Sequence, residues 1–156
     1  MIKALLSTVL LMAAPVYAKV DPNTPALVEA AREYATVIID GPECAKREYM
    51  GAFSLSARTI EICTGESYGP EDHDTIRHEV WHLVQHCVAN QENRLEPVLP
   101  EEDLMPWVEA VLSRRRIEWI SWNYPASHLL SELEAYTVAQ TVSAEKIAEI
   151  LTKACG

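Results

Sequence analysis

Residues 76–88, with the sequence IRHEVWHLVQHCV, decide how this chain of 156 residues is expected to fold. Their apolar side chains recur at intervals of three and four residues, which is the spacing of one buried stripe on an α-helix. The stripe consists of Ile76, Val80, Leu83, Val84, Cys87 and Val88. The sequence therefore predicts a helix that packs one face into a core and leaves the opposite face free for chemistry.

Two histidines and a glutamate occupy the other side of this predicted helix. His78 and His82 are four positions apart, so their imidazoles lie one above the other and can bind one metal ion, with Glu79 beside them. A catalytic zinc ion takes three protein ligands and a water molecule, whose proton an adjacent carboxylate can accept. The pattern predicts a hydrolytic Zn²⁺ site with Glu79 as general base. A helix with merely exposed or hydrogen-bonded histidines is the alternative.

A third ligand must come from elsewhere in the chain. His86 lies eight positions after His78, which is about 12 Å along the helix axis and too far to share one ion with it. Glu132 and Glu134, in the SELEAY segment of a separate predicted helix, are better candidates. An ordinary solvated helix face is the alternative interpretation of both glutamates.

The HEVWH motif and the SELEAY segment resemble the gluzincin branch of the zincin metallopeptidases, in which a glutamate from a downstream helix joins a HExxH helix. The resemblance implies a zinc metallopeptidase with His78, His82 and a glutamate as ligands. In that branch the ligand glutamate often has a small residue three positions on. Ala135 stands at this distance from Glu132, so the resemblance favours Glu132 over Glu134 as the third ligand.

The resemblance covers roughly residues 57–140, and HExxH is its specific part. The chain is small, like a minimal catalytic core of the branch, and Tyr136 stands where an acidic residue often follows the ligand. The three-histidine pattern HExxHxxGxxH is absent, because Gln85 replaces its glycine and Val88 its last histidine. Two further hypotheses remain: an exported, non-catalytic binding module on a zincin scaffold, and a zinc amidase that acts on cell-wall peptides.

Several polar residues are candidates for contacts with a substrate. Hydrolysis of a peptide bond needs a donor to the developing oxyanion, and Tyr124, His128 and Tyr136 lie in or near the predicted third-ligand helix. A structural tyrosine or a surface histidine is the alternative for each. The run of three arginines at 114–116 is interpreted as a solvated face, with an anchor for a substrate carboxylate as the alternative.

Residues 1–18 have the features of an export signal: Lys3, an apolar run and a Val-Tyr-Ala cleavage site ending at Ala18. The run is too short for a comfortable membrane span, so we expect cleavage near Ala18 and a single periplasmic or secreted domain over residues 19–156, with no stable membrane anchor. An uncleaved amino-terminal anchor is the alternative. The formal net charge of −10 argues against nucleic acid or an anionic membrane as partner, and a peptide or protein substrate is expected instead.

Four cysteines in an exported chain favour two disulfides. Three pairings are possible, and the preferred one joins Cys63 to Cys87 and Cys44 to Cys155.

The predicted fold class is α+β: a small antiparallel sheet or hairpin packed against several helices, zincin-like, with an active-site HExxH helix. A hairpin is predicted from residues 46–53 and 57–63, and its second strand is expected to bind a peptide along the cleft. Helices are predicted from Thr24 to Ile38, from the connection after Pro100 to about Trp122, from Ala126, and from Ala144 to Lys153 with Ser143 as cap. Asp72 or Asp74 is predicted to cap the helix that carries the HEVWH motif.

Overall fold

The computed structural model describes residues 21–46, 49–64, 70–90 and 93–156. Within these ranges the fold is α+β, as predicted, with six α-helices and one three-stranded sheet. The helices are α1 (Thr24–Arg32), α2 (Pro70–Ala89), α3 (Glu101–Val111), α4 (Arg114–Asn123), α5 (Leu129–Thr141) and α6 (Ala144–Cys155), and the strands are β1 (Thr36–Ile39), β2 (Gly51–Ser54) and β3 (Thr59–Ile62). The predicted export signal lies outside the described residues.

Helix α2 carries the HEVWH motif and lies at the centre of the fold, where it contacts α1, α5, α6 and the sheet. Leu83 and Val84 are completely buried, as the apolar stripe predicts for the core side, and Trp81, which is not part of the stripe, is completely buried too. The opposite face, predicted to be free for chemistry, is largely covered: His78, Glu79 and His82 expose only 8%, 6% and 4% of their surface, and His78 and Glu79 are reached through a cleft. Polar side chains can be covered there because α5 supplies polar partners to them.

Arg77, directly before the motif, is buried and joins α2 to the two carboxyl-terminal helices. Its Nε donates to the carbonyl oxygen of Ala139 at 2.8 Å, and its guanidinium contacts the carboxylates of Asp74 and Asp21. Asp21 Oδ2 also accepts a hydrogen bond from the main-chain nitrogen of Ala144, at 2.6 Å, where α6 begins. A buried guanidinium is stable only with such partners, so this cluster fixes α2 against α5 and α6.

The sheet is mixed, with the strand order β1-β3-β2. The predicted hairpin is confirmed, because β2 pairs with β3 antiparallel, with Ala52 opposite Glu61. The prediction that the first helix continues to Ile38 is wrong: α1 ends at Arg32, and β1 pairs with β3 in parallel. The sequence of β1, TVII, is entirely β-branched, which favours an extended chain over a helix when a partner strand is present.

Strand β3 is the central strand of the sheet and has a neighbour on each side. The prediction that residues 60–63 bind a peptide at a sheet edge is therefore wrong, because the main-chain groups of β3 are already paired. The edge that faces α2 belongs to β2.

Two predicted helix boundaries are also wrong. The helix expected to run to Trp122 is divided into α3 and α4 at Leu112 and Ser113, whose backbone is extended, and Ser113 Oγ accepts from the main-chain nitrogen of Arg116. A serine that caps a new helix stops the preceding one. Because α2 already begins at Pro70, Asp72 and Asp74 lie inside it and do not cap it.

The prediction of two disulfides is confirmed, but the preferred pairing is wrong: the bonds are Cys44–Cys63 and Cys87–Cys155. Cys44 and Cys63 follow β1 and β3, which are parallel neighbours, so their Cα atoms lie 5.5 Å apart. Cys87 and Cys155 lie in the last turns of α2 and α6. Disulfides are typical of oxidising compartments and fit an exported protein. None of the helices in the described ranges combines the length and apolarity needed to cross a membrane.

Candidate metal centre

Three potential metal ligands meet between α2 and α5: His78, His82 and Glu132. Nε2 of His78 lies 3.0 Å from Nε2 of His82. Each of these nitrogens lies 3.4 Å from one carboxylate oxygen of Glu132. The two imidazoles meet because residues four apart share one helix face, and the packing of α5 on that face adds the carboxylate.

The spacing of these atoms fits a zinc ion. Nitrogen and oxygen ligands lie about 2.0–2.1 Å from zinc, so two ligands of a tetrahedral site are about 3.3 Å apart. The observed separations of 3.0 Å and 3.4 Å are close to this value. Oε2 of Glu132 is buried and makes no hydrogen bond among the described residues. Two imidazoles and one carboxylate are also a ligand set that catalytic zinc sites use.

In the absence of a metal ion, His82 and Glu132 form a charged pair. Burial by itself lowers the pKa of His82, but the hydrogen bond to Glu132 and its negative charge outweigh burial and raise this pKa to about 9. Burial by itself raises the pKa of Glu132, while the close approach of His78 and His82 to its carboxylate outweighs burial and lowers the pKa to about 2. At neutral pH a metal ion must therefore displace a proton from His82.

Gln85 determines which nitrogen of His82 faces the site. Nε2 of Gln85 donates to the carbonyl oxygen of Ser131 at 2.9 Å and to Oε2 of Glu134 at 2.8 Å. Its Oε1 is therefore the atom that accepts from Nδ1 of His82, at 2.8 Å. The neutral imidazole then carries its proton on Nδ1 and presents the lone pair of Nε2 to the site. Gln85 was not predicted as a site residue, although it lies one turn beyond His82 on the same helix.

His78 is oriented by packing instead. Its Nδ1 is buried and has no hydrogen-bond partner in the part of the chain that the structure describes. Its ring lies against the ring of Tyr136, with the two centroids 4.4 Å apart. The tyrosine that replaces the acidic residue expected from the gluzincin pattern thus contacts a potential metal ligand directly.

Glu134, the alternative third ligand, is not part of this group. Its carboxylate is fully buried and accepts four hydrogen bonds of 2.8–3.0 Å, from Nε1 of Trp81, Nε2 of Gln85 and the main-chain nitrogens of Val98 and Leu99. Burial raises the pKa of Glu134, and all four donors oppose that increase. The structure brings Glu132 to the histidines and places Glu134 where it joins α2, α5 and residues 98–99.

Glu79 lies beside the two imidazoles and close to β2. Burial raises its pKa, while the nearby His78 and His82 oppose the increase, as does a hydrogen bond from the main-chain nitrogen of Phe53. A buried carboxylate with a raised pKa and a fixed orientation is suited to accepting and releasing a proton.

Gly51 allows α2 to approach β2 this closely. A Cβ atom at Gly51 would lie 2.6 Å from Cγ2 of Thr75 and 2.9 Å from Cγ of Glu79, distances that real side chains do not adopt. Gly51 was not predicted as a site residue. A glycine inside a predicted strand is, however, a known signal of close approach by another element.

The edge of β2 that faces away from β3 points towards Glu79. The main-chain nitrogen of Cys63 donates to the carbonyl oxygen of Met50 at 2.8 Å, so alternate residues from Met50 onward bond to β3. The intervening main-chain groups, those of Gly51 and Phe53, point to the other side. The hydrogen bond from Phe53 to Glu79 agrees with this assignment.

An open cleft of about 580 Å³ leads to His78 and Glu79, a size in the usual range for binding sites of about 300–1,000 Å³. Residues of four elements and of the segment before β2 line it, among them Tyr49, Met50, Gly51, Asp74, Thr75, Arg116, Trp119, Tyr124 and Tyr136. The cleft therefore gives a substrate access to His78, to Glu79 and to the free edge of β2.

Two of the three predicted oxyanion contacts line this cleft. The hydroxyl groups of Tyr124 and Tyr136 lie 3.2 Å apart. Burial raises the pKa of both, so both remain protonated hydrogen-bond donors at neutral pH. His128 is exposed just before α5 and is not among the residues that line the cleft.

No protein-family model matches this chain, and neither a curated protein nor a solved structure matches it. The geometry of the site is therefore what supports a functional assignment.

Proposed function

We propose that the protein is a zinc-dependent hydrolase that cleaves peptide bonds, a metallopeptidase of the minimal gluzincin type. The main support is the convergence of His78, His82 and Glu132 at the separations of a tetrahedral zinc site, next to an open cleft. Structural zinc sites are closed by four protein ligands, whereas catalytic sites use three and keep one position for water or substrate. Three candidate ligands among the described residues favour the catalytic type.

Zinc bound by these side chains would polarise a water molecule and the substrate carbonyl. Glu79 accepts the proton of the water and transfers it to the leaving amine. Its hydrogen bond with the N–H of Phe53 holds the carboxylate in place, and the close contact at Gly51 limits its movement. Gln85 keeps Nε2 of His82 directed at the metal position.

The substrate is aligned by β2 and by the two tyrosines. An extended peptide can pair with the main-chain groups of Gly51 and Phe53 that point away from β3. The hydroxyls of Tyr124 and Tyr136 line the same cleft. Because one of them donates to the other, one O–H group of the pair remains to donate to the negative charge that develops on the carbonyl oxygen.

The buried position of Glu79 favours an enzyme over a binding module. Zinc binding alone does not need a carboxylate beside the ligands, and burying one raises the cost of ionising it. A zinc amidase for cell-wall peptides would use the same groups, so the substrate class must be tested directly.

The test combines metal analysis with a hydrolysis assay on protein purified from an oxidising compartment. We expect one zinc ion per chain and cleavage within a peptide library, with no cleavage of cell-wall fragments. Glu79→Gln should retain zinc and lose activity by about 10²–10⁴-fold, while the exposed Glu149→Gln should behave like the wild type. Full activity of Glu79→Gln would exclude the mechanism. Absence of zinc after incubation with the metal would favour a binding module, and cleavage of cell-wall fragments alone would favour the amidase.

A further inference from the structure

Arg116, in the first turn of α4, lines the catalytic cleft and a second hollow of about 310 Å³. Ser113, Arg115 and Trp119 complete the lining of the second hollow. Because Arg116 and Trp119 belong to both, the second hollow adjoins the cleft and extends it. Two arginines thus lie along this extension.

Aromatic rings hold the guanidinium of Arg116 in position. Its central carbon lies 5.5 Å from the ring centroid of Trp119 and 5.6 Å from that of Tyr136. Both distances are within the range of cation–π contacts, and a stacked, planar guanidinium keeps its hydrogen-bond donors fixed in direction. Trp119 and Tyr136 also meet edge to face, with centroids 6.3 Å apart, which stiffens the support.

The charge of Arg116 is available to a ligand. Its side chain forms no ion pair within the described ranges, whereas Arg114 pairs with Glu118 at 2.9 Å. Of the two acidic residues that line the cleft, Asp74 pairs with Arg77 and Glu79 lies beside His78 and His82. In a protein of net charge −10, an arginine without a carboxylate partner at a cleft is a local positive site that attracts anionic groups.

We propose that Arg116 binds a carboxylate of the substrate, so that the enzyme prefers peptides with an acidic side chain or a free carboxyl terminus close to the bond it cleaves; this inference rests on the proposed function. Tyr136 contacts both Arg116 and His78, so one side chain separates the guanidinium from the metal ligands. At about 3.3 Å per extended residue, the carboxylate lies within about three residues of the cleaved bond. Bidentate pairing of guanidinium with carboxylate supplies the specificity.

The first experiment measures cleavage of matched peptides. A cleaved library peptide is resynthesised with Glu, Gln or Lys at each of the three positions on either side of the cleaved bond, and with a carboxylate or an amide at its carboxyl terminus. We expect kcat/KM to be about tenfold higher with Glu than with Gln at one position, and the preference to decrease at high salt. A preference for the free terminus alone would identify the terminal carboxylate as the ligand.

Arg116→Gln should abolish this preference, so that within this variant the Glu and Gln peptides are cleaved with the same kcat/KM to within about twofold. Arg116→Lys should restore part of it, because the charge returns without the planar donors. Arg114→Gln is the matched control: it removes the same charge from the same turn, outside both hollows, and should keep the full preference. An unchanged preference in Arg116→Gln, or a wild type that is indifferent to carboxylates, would overturn the proposal.

A binding measurement separates this inference from the proposed function. Zinc-loaded Glu79→Gln protein is titrated with fluorescently labelled peptides that are chosen independently of the cleavage assay and differ only in Glu or Gln at one position, and binding is followed by anisotropy with and without Arg116→Gln. If the wild type cleaves no peptide but the Glu peptide still binds more tightly through Arg116, hydrolysis is wrong and the carboxylate site is supported. If the wild type cleaves peptides and both bind equally, the carboxylate site is wrong and hydrolysis is supported.

Discussion

Glu132 and Glu134 lie two positions apart on α5 and are both buried, but their surroundings differ. Glu134 accepts four hydrogen bonds from N–H groups, which satisfy its carboxylate and connect three segments of the chain. Glu132 faces two imidazole nitrogens, and its Oε2 makes no hydrogen bond among the described residues. Burial alone therefore does not identify a functional carboxylate. The two glutamates differ in their hydrogen bonds: N–H donors of the protein satisfy the carboxylate of Glu134, whereas one oxygen of Glu132 is left for a ligand.

The largest expected effect is loss of zinc affinity in Glu132→Gln. Zinc-binding free energies of about 10–16 kcal/mol distributed over four ligands correspond to about 2.5–4 kcal/mol for each ligand, so losing one ligand implies a decrease in affinity of about 60- to 700-fold. The measurement is competition with a calibrated zinc chelator.

The matched variant for this test is Glu134→Gln, assayed at a temperature where it is folded, and it should bind zinc within about tenfold of the wild type. If Glu134→Gln lost zinc and Glu132→Gln retained it, the assignment of the two glutamates would be reversed.

The second largest effect is on folding stability. In Glu134→Ala, four buried N–H donors lose their acceptor, and we expect the metal-free protein to lose about 3 kcal/mol of unfolding free energy, measured by urea denaturation with disulfides intact. Glu132→Ala should cost less in the metal-free state, because none of the main-chain donors in the described ranges bonds to Glu132. Equal losses in the two variants would show that the hydrogen bonds to Glu134 are not what distinguishes it.

The part of the site that the sequence predicts best is the part held by one helix. His78, Glu79 and His82 are placed by helical spacing alone, which any folded context preserves. Gln85 and Gly51 matter only because α5 and β2 pack against α2, and such contacts between distant segments leave no local periodicity. For the same reason, helical spacing does not distinguish Glu132 from Glu134 as the third ligand, and only the resemblance favours Glu132.

The errors in the predicted fold have a similar origin. Residues 36–39 continue the helical spacing of α1, but β3 offers them hydrogen-bond partners, and the gain from pairing exceeds a weak helical preference. Without β1 in the sheet, nothing in the sequence brings Cys44 close to Cys63, so the disulfide pairing was also predicted incorrectly. The hairpin of β2 and β3 and the cap at Ser143 are local features, and both predictions are confirmed.

A third prediction concerns Gln85, which links the surroundings of the two glutamates. It hydrogen-bonds to Glu134 and to His82, and His82 in turn faces Glu132. Gln85→Leu preserves much of the side-chain volume but removes the acceptor for Nδ1 of His82, so the ring no longer has a fixed tautomer. We expect zinc affinity to decrease by about 10–100-fold, the usual cost of removing such a partner.

Its control is His86→Gln, on the next position of α2, which contacts Phe53 and the carbonyl oxygen of Arg94 and lies outside the site. This variant should bind zinc like the wild type. Unchanged affinity in Gln85→Leu would mean that packing alone orients His82, as it does His78.

The smallest predicted effect is the pH dependence of zinc binding, which tests whether Glu132 is charged and paired before the metal arrives. Pairing with Glu132 raises the pKa of metal-free His82 to about 9, above its ordinary value of 6.5. His82 is therefore protonated at pH 7, and zinc must release about one proton on binding. Affinity should increase about tenfold per pH unit from pH 7 and level off above about 9, whereas an unpaired histidine would give a plateau above its ordinary pKa. Calorimetry in buffers of different ionisation enthalpy measures the released proton directly.

The same pairing stabilises the metal-free fold fully between about pH 4.5 and 6.5, the ordinary pKa values of Glu132 and His82. That contribution is lost as the pH rises through about 9, where His82 loses its proton. Zinc-free protein should thus become less stable over the range in which its zinc affinity increases. A proton release near zero at pH 7 would show that Glu132 does not hold His82 in its charged form.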